Sequence, residues 1–169
     1  MPANIEIKAR VKDFESLRQA AARRSDTPCQ IISQEDTFFH CPQGRLKLRE
    51  LAPNRGQLIY YQRQDVTGPK HSEYMIYETD SPASLKLILA KAFGIRGVVS
   101  KTRYLYLAGQ TRIHLDDVQG LGKFMELEVV LLPGQTDAEG QVIAASLMHE
   151  LGIHEQDLID SAYMDLIEK

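Results

Sequence analysis

The sequence predicts an α+β fold on a mostly antiparallel sheet, and three observations carry that prediction. Short runs of alternating polar and apolar residues recur along the chain, as in Asn4-Ile5-Glu6-Ile7-Lys8-Ala9-Arg10 and Arg45-Leu46-Lys47-Leu48-Arg49. Residues two apart on a strand share a face, so each run has one polar and one apolar side. Turn-rich separators lie between these runs, which favours hairpins and meanders. Helical stretches interrupt them in the order strand, helix, four strands, helix, three strands, helix.

The first strand spans about 4–11, and Asp13 then caps a helix with Phe14, Leu17, Ala20 and Ala21 on one face. That helix ends in Arg23-Arg24, whose charge suits the negative pole of its dipole. Strands follow at about 34–40, 44–51, 57–65 and 71–79, divided by Pro42-Gln43-Gly44, Pro53-Asn54-Arg55-Gly56 and Thr67-Gly68-Pro69. Ser81-Pro82 reads as N-cap and first position of a helix through Leu85, Leu87, Ile88, Leu89 and Phe93, stopped by Gly94. Strands at about 98–108, 111–118 and 122–132 are divided by Gly109-Gln110 and Gln119-Gly120-Leu121-Gly122. Thr136 and Glu139 form a capping-box pattern before Val142, Ile143, Leu147, Met148 and Leu151, and Gly152 follows. A tail from Glu155 is expected to add a last turn or two.

At 169 residues with ordinary hydrophobic and charged content, residues 1–169 read as a single domain. A net charge of −3 argues against non-specific nucleic-acid binding, while leaving room for a local basic site. Met1-Pro2-Ala3-Asn4 lacks the layout of a secretory signal, and no apolar run reaches the roughly 20 residues that span a bilayer, so a cytoplasmic, membrane-free protein is expected. Cys29 and Cys41 stand outside any zinc-ligand spacing and read as ordinary thiols.

The polar rows are unusual in their sign. Arg45, Lys47 and Arg49 stand consecutively on one face, with Arg63, Lys101, Arg103 and Arg112 on neighbouring runs, while acids concentrate in the first and last runs. A one-sided sheet with a solvated face would account for the alternation. Against it, adjacent like charges repel across strands unless anions occupy the space between them. The other packing is a closed β-barrel of about eight strands with a polar interior wide enough for a small ligand. Its outer face, carrying Ile5, Ile7, Leu46, Leu48, Leu127 and Val129, would then lie under the helices.

The ordered residues resemble a known family. Asn4-Ile5-Glu6-Ile7-Lys8 is similar to the ExExK signature of the CYTH superfamily, the group of adenylyl cyclases and thiamine triphosphatases with a triphosphate-tunnel fold. The resemblance continues through Gln34-Glu35-Asp36-Thr37-Phe38-Phe39, Arg45 to Glu50, Tyr60-Tyr61-Gln62-Arg63, Lys101-Thr102-Arg103 and Leu115-Asp116-Asp117-Val118. It ends with Gly120-Leu121-Gly122-Lys123-Phe124-Met125-Glu126-Leu127-Glu128 and Ser161-Ala162-Tyr163, and the segment around Gly120 looks most like the class IV adenylyl cyclase branch. It implies an antiparallel, roughly eight-stranded closed barrel with a polar interior and helices packed outside.

The resemblance also implies roles. Glu6, Glu126 and Glu128, with Asp116 as a further candidate, correspond to the metal-binding acids, and Mg²⁺ or Mn²⁺ suits such hard oxygen ligands. Lys8, Arg45, Lys47, Arg49, Arg63, Lys101, Arg103 and Arg112 would hold the phosphates of ATP or of another triphosphate or polyphosphate. The attacking group would be a ribose 3′ hydroxyl in a cyclase and water in a triphosphatase, with Glu6 and Lys8 as catalytic candidates, Lys8 as base or as phosphate ligand. A homodimer is a further implication. The family's first motif Glu is Asn4 here, which leaves three readings open: an enzyme with one metal, an enzyme recruiting Glu128 or Asp116 instead, or a binding protein without turnover.

Two other patterns are weaker. His149-Glu150-Leu151-Gly152-Ile153-His154 nearly spells a zinc-protease motif, but its histidines are five apart and Gly152 intervenes, so it reads as a helix end. Tyr60, Tyr61, Tyr74, Tyr77, Tyr104 and Tyr106 are expected to pack on strands.

Overall fold

Alternation forces each strand to put its charged row on one side, and in the computed structural model, which describes residues 2–168, the sheet closes so that those rows face inward. The strands are β1 (Ala3–Arg10), β2 (Gln30–Phe39), β3 (Arg45–Ala52), β4 (Arg55–Arg63), β5 (Lys70–Thr79), β6 (Ile95–Ala108), β7 (Thr111–Val118) and β8 (Gly122–Val130). All neighbours pair antiparallel in the closed order β1-β5-β4-β3-β2-β6-β7-β8. Every strand and hairpin anticipated from the sequence is present.

Two strands begin earlier than the pattern suggests. Gln30 to Ser33 extend β2 along the far half of β6, where Ile31 is opposite Tyr104 and Ile32 opposite Arg103. Strand β6 starts at Ile95, running through Gly97 as a strand residue. Gly97 is needed there for close approach: a Cβ would run into the side chain of Met164.

Helices α1 (Phe14–Arg24), α2 (Pro82–Phe93) and α3 (Asp137–Glu150) cover parts of the outer surface, and α4 (Tyr163–Ile167) sits at one end after a single 3-10 turn at Glu155–Asp157. Asp13 accepts from the Ser16 amide at 3.1 Å, and Thr136 and Glu139 form the full capping box. Ser81 holds the N-cap position of α2 without capping, because its hydroxyl donates to Asp80 instead. Helix α3 ends before Gly152, whose φ of +72° lies in the left-handed region, and His154 falls beyond the helix.

The apolar face of the barrel builds the main core. Ile7, Ile113, Leu115, Met125 and Leu127 are buried under Leu17 and Ala21 of α1, Leu147 of α3 and Leu151 just beyond it. Ile5 and Val129 pack on Ala144, and Leu48 packs with Phe39 on Leu89 of α2. A separate cluster closes one end of the barrel from within. Phe38, Val99, Val118 and Phe124 lie against Tyr163 and Met164 of α4. Arg96 fastens that helix through Asp165 at 2.7 Å and Glu168 at 2.8 Å, and Arg45 reaches Asp165 at 3.1 Å. No helix among the described residues is long and apolar enough to cross a membrane.

Candidate active site

The even-numbered residues of β1 and the matching rows of the other strands enclose a cavity of about 620 Å³. Its lining includes Glu6, Lys8, Lys47, Arg49, Arg63, Lys101, Arg103, Arg112, Glu126 and Glu128. A more open hollow of about 760 Å³ lies over β2 and β3, but its Lys86 is spent on Glu50 at 3.0 Å and no group of cations converges there.

Register explains how charges from distant segments meet. On one side of the cavity, β1 sets Glu6 opposite Glu128 and Lys8 opposite Glu126, and β7 sets Arg112 opposite Glu128 and His114 opposite Glu126. Lys8 Nζ lies 3.3 Å from Glu126, Arg63 Nη1 lies 3.4 Å from Glu6, and Arg112 donates twice to Glu128 Oε2 at 3.0 and 2.8 Å. Burial, then the fields of Glu128 and Glu126, push the Glu6 carboxyl up to about 7 against the pull of Arg63 and Lys8. Burial also opposes ionisation of Glu126, but Lys8, Arg103 and His114 hold it well below the ordinary carboxylate range.

The other side is cationic around one acid. Asp36 on β2 is opposite Arg49 on β3 and receives two bonds from its guanidinium, both at 2.9 Å. Lys101 and Lys47 also reach Asp36, at 3.0 and 3.3 Å. Burial disfavours its charge, yet Arg49, Lys101 and Lys47 together keep it ionised far into acid. The lysines bear the cost of crowding: burial, with the neighbouring Arg49 and Arg103, lowers Lys47 to about 7 and Lys101 to about 8 despite Asp36.

Of the expected phosphate ligands, Lys8, Lys47, Arg49, Arg63, Lys101, Arg103 and Arg112 line the cavity. Arg45 is placed differently, at the closed end, paired with Asp65 and Asp165. Of the expected metal acids, Glu6, Glu126 and Glu128 line the cavity together. Asp116 is fully buried behind it, with Arg103 on both oxygens at 2.8 and 2.7 Å and the Tyr163 hydroxyl at 2.7 Å on Oδ2.

Several lining residues escaped sequence reasoning. Asp36 is an acid within a polar stretch that alternation does not resolve, and only the Asp36–Arg49 register reveals its place. Tyr163 arrives from the tail, with Lys8 Nζ 3.9 Å from its ring centre. Tyr61 and Tyr74, read as packing residues, face the cavity, because their register with each other puts them on the inner row. Tyr77 is exposed rather than packed.

The acids fit a divalent cation. Donor atoms of His114, Glu126 and Glu128 all lie within 4.8 Å of one another, and a bound cation would relieve both the burial and the repulsion from Glu128 and Glu126 that raise Glu6. Asn4 Oδ1, on the Glu6 row, is buried without a hydrogen-bond partner.

Comparisons with known proteins agree with this geometry. The model of the CYTH domain matches residues 2–163. Among solved structures, the PH1012 protein of Pyrococcus horikoshii superposes with a TM-score of 0.82 at 24% identity, covering 96% of this chain and 98% of that one. A candidate adenylate cyclase of Vibrio parahaemolyticus gives 0.77 at 19% identity, over 98% of each chain. HpAC1 of Hippeastrum, a candidate adenylyl cyclase with a dominant triphosphatase activity, gives 0.66 at 17% identity over 94% and 91%. At these identities the likeness is one of fold. No protein of curated function matches the sequence.

Proposed function

This chain belongs to the CYTH domain family, and on that premise we propose that it is a divalent-metal-dependent enzyme that admits the triphosphate of ATP or of another organic or inorganic triphosphate and breaks a P–O–P bond. The observation that carries this reading is the cavity with eight lysine and arginine side chains on its wall, Arg55 among them, and three glutamates converging on one side. Unrelieved, such a lining is unfavourable; a phosphate chain supplies the anions and a cation supplies what the glutamates lack.

In this reading Arg49, Lys47, Lys101 and Arg103 hold phosphate oxygens, and Arg63 and Arg112 hold the chain nearer the glutamates. Arg63 Nε and Nη2 are buried without partners, so they are free to donate to a phosphate. Glu6, Glu126 and Glu128 hold Mg²⁺ or Mn²⁺, which when bound neutralises charge developing on the phosphoryl oxygens. Asp116 holds Arg103 and Tyr163 in place and is a positioning residue. Lys8 Nζ holds a phosphate oxygen or takes the proton of the attacking water or ribose hydroxyl; burial lowers its affinity for a proton against the pull of Glu126. One observation favours binding without turnover as a second reading: the neutral Asn4 weakens the anionic side of the site.

Incubation with ATP, thiamine triphosphate and tripolyphosphate plus Mg²⁺ or Mn²⁺ separates the outcomes. Phosphate release marks a triphosphatase, cyclic AMP with pyrophosphate marks a cyclase, and tight binding with no product removes the enzyme reading. Arg49→Ala and Arg103→Ala should each weaken tripolyphosphate binding by roughly tenfold or more, from about 1.5–3 kcal/mol per charged hydrogen bond. Unchanged binding in both would remove the reading of the cavity as a phosphate site.

A further inference from the structure

Besides Asn4 and Arg63, the cavity holds an imidazole with a buried, unpartnered nitrogen. His114 is 5% exposed, and its Nδ1 is buried with no hydrogen bond. A polar atom abandoned in this way is costly, so a buried imidazole normally finds a partner. Strand β7 sets His114 opposite Glu126, and the next inward residue of β8 is Glu128. Nδ1 faces Glu128 Oε1 at 3.5 Å, and no hydrogen bond joins them. Arg112 occupies the other oxygen of that carboxylate, which turns Oε1 toward the ring.

We propose that His114 is a direct ligand, with Glu126 and Glu128, of the divalent ion in this cavity, and that its imidazole makes the site prefer Mn²⁺, Co²⁺ or Zn²⁺ over Mg²⁺. The physical reason lies in the donor set. Mg²⁺ takes oxygen donors and keeps much of its water, whereas imidazole nitrogen strengthens binding of first-row transition ions. Asn4 acts in the same direction, since an amide in place of a carboxylate removes anionic charge on which a hard ion depends more heavily. The inference rests on the proposed metal-and-phosphate reading of the cavity, but it is tested without turnover.

The experiment titrates Mn²⁺ alone into the full chain and reads the bound ion by pulsed electron paramagnetic resonance. The wild-type chain should show nitrogen-14 coupling from an imidazole, absent in His114→Gln, with Mn²⁺ affinity falling on the order of 10–100-fold in that variant. Mg²⁺ should displace Mn²⁺ from the wild-type chain only in at least about tenfold excess, a readout that needs no variant. His114→Asn is run alongside, and cooperative melting establishes that each variant is folded. Bound Mn²⁺ without nitrogen coupling, coupling that persists in both folded variants, displacement by equal Mg²⁺, or no Mn²⁺ binding overturns the proposal. Tripolyphosphate binding in a chelator reports the phosphate clamp separately. If it fails while the coupling is present, the proposed function falls and the metal ligand stands; if it holds while the coupling is absent, only His114 loses its role.

Discussion

Asp36 shows how one residue can organise a site without being the obvious chemistry in it. It is 1% exposed and is the anion that Lys47, Arg49 and Lys101 share. Removing its charge leaves Arg49, Lys47 and Lys101 facing one another, and Asp36→Asn should destabilise the fold by about 3–5 kcal/mol. Denaturant titrations with and without tripolyphosphate check this: the ligand should recover much of the loss, because its oxygens take the vacated place. A variant as stable as wild type would show that the cations do not depend on Asp36. Lys47 and Lys101 give the matching pH dependence. Burial lowers them from 10.5 to about 7 and about 8, so between those values and 10.5 the unfolded chain binds more protons than the folded one. Their penalty on stability is therefore full below about pH 7 and is relieved as pH rises toward 10.5. A bound polyphosphate favours their charged forms, so binding near about pH 8.5 should take up protons, and affinity should fall as pH rises further. Calorimetry in buffers of different ionisation heat reads the uptake directly; binding without it would place the ligand away from these lysines.

At the scale of elements, the inner rows of β1, β3 and β8 were legible because positions 4–10, 45–49 and 126–129 alternate polar with apolar residues. Strand β2 was not, since Gln34, Glu35, Asp36 and Thr37 are polar on both faces and a period of two carries no signal there. Arg45 continues the basic row of Lys47 and Arg49, yet it stands at the first position of β3, where the strand leaves the cavity and its charge finds Asp65 and Asp165. Alternation gives the face of a residue and is silent on its depth. Packing between elements was equally hidden. Gly140 lies in the first turn of α3, where a Cβ would come within 2.6 Å of Ile5 Cγ1 and 2.7 Å of Leu131 Cδ2. The glycine lets α3 lie close on β1 despite its low helix propensity. Gly140→Val should therefore cost about 1–3 kcal/mol by overpacking while tripolyphosphate affinity in the folded variant stays unchanged, as thermal melts and binding titrations would show. Loss of affinity would mean that α3 helps shape the inner face of β1.

For the molecule as a whole, the sequence left a solvated sheet and a closed barrel both open, and the resemblance pointed to the barrel. Closure depends on β1 meeting β5 on one side and β8 on the other, pairings between distant segments that no local pattern contains. Closing the end depends on the tail, where Met164 is 2% exposed among Phe38, Val99, Val118 and Phe124. Met164→Ala should cost about 2–5 kcal/mol and accelerate amide exchange over residues 162–167 more than elsewhere. Uniform acceleration would instead make α4 an integral part of the cooperative unit. This stopper has a consequence for traffic. On the proposed reading, the end where Phe38, Val99, Val118 and Phe124 pack against Tyr163 and Met164 offers no exit, so a product would leave by the path along which the substrate arrived. A spent phosphate fragment would then queue ahead of the next arrival, making each product a plug for its own exit and tying the pace of a cycle to departure as well as to bond breaking.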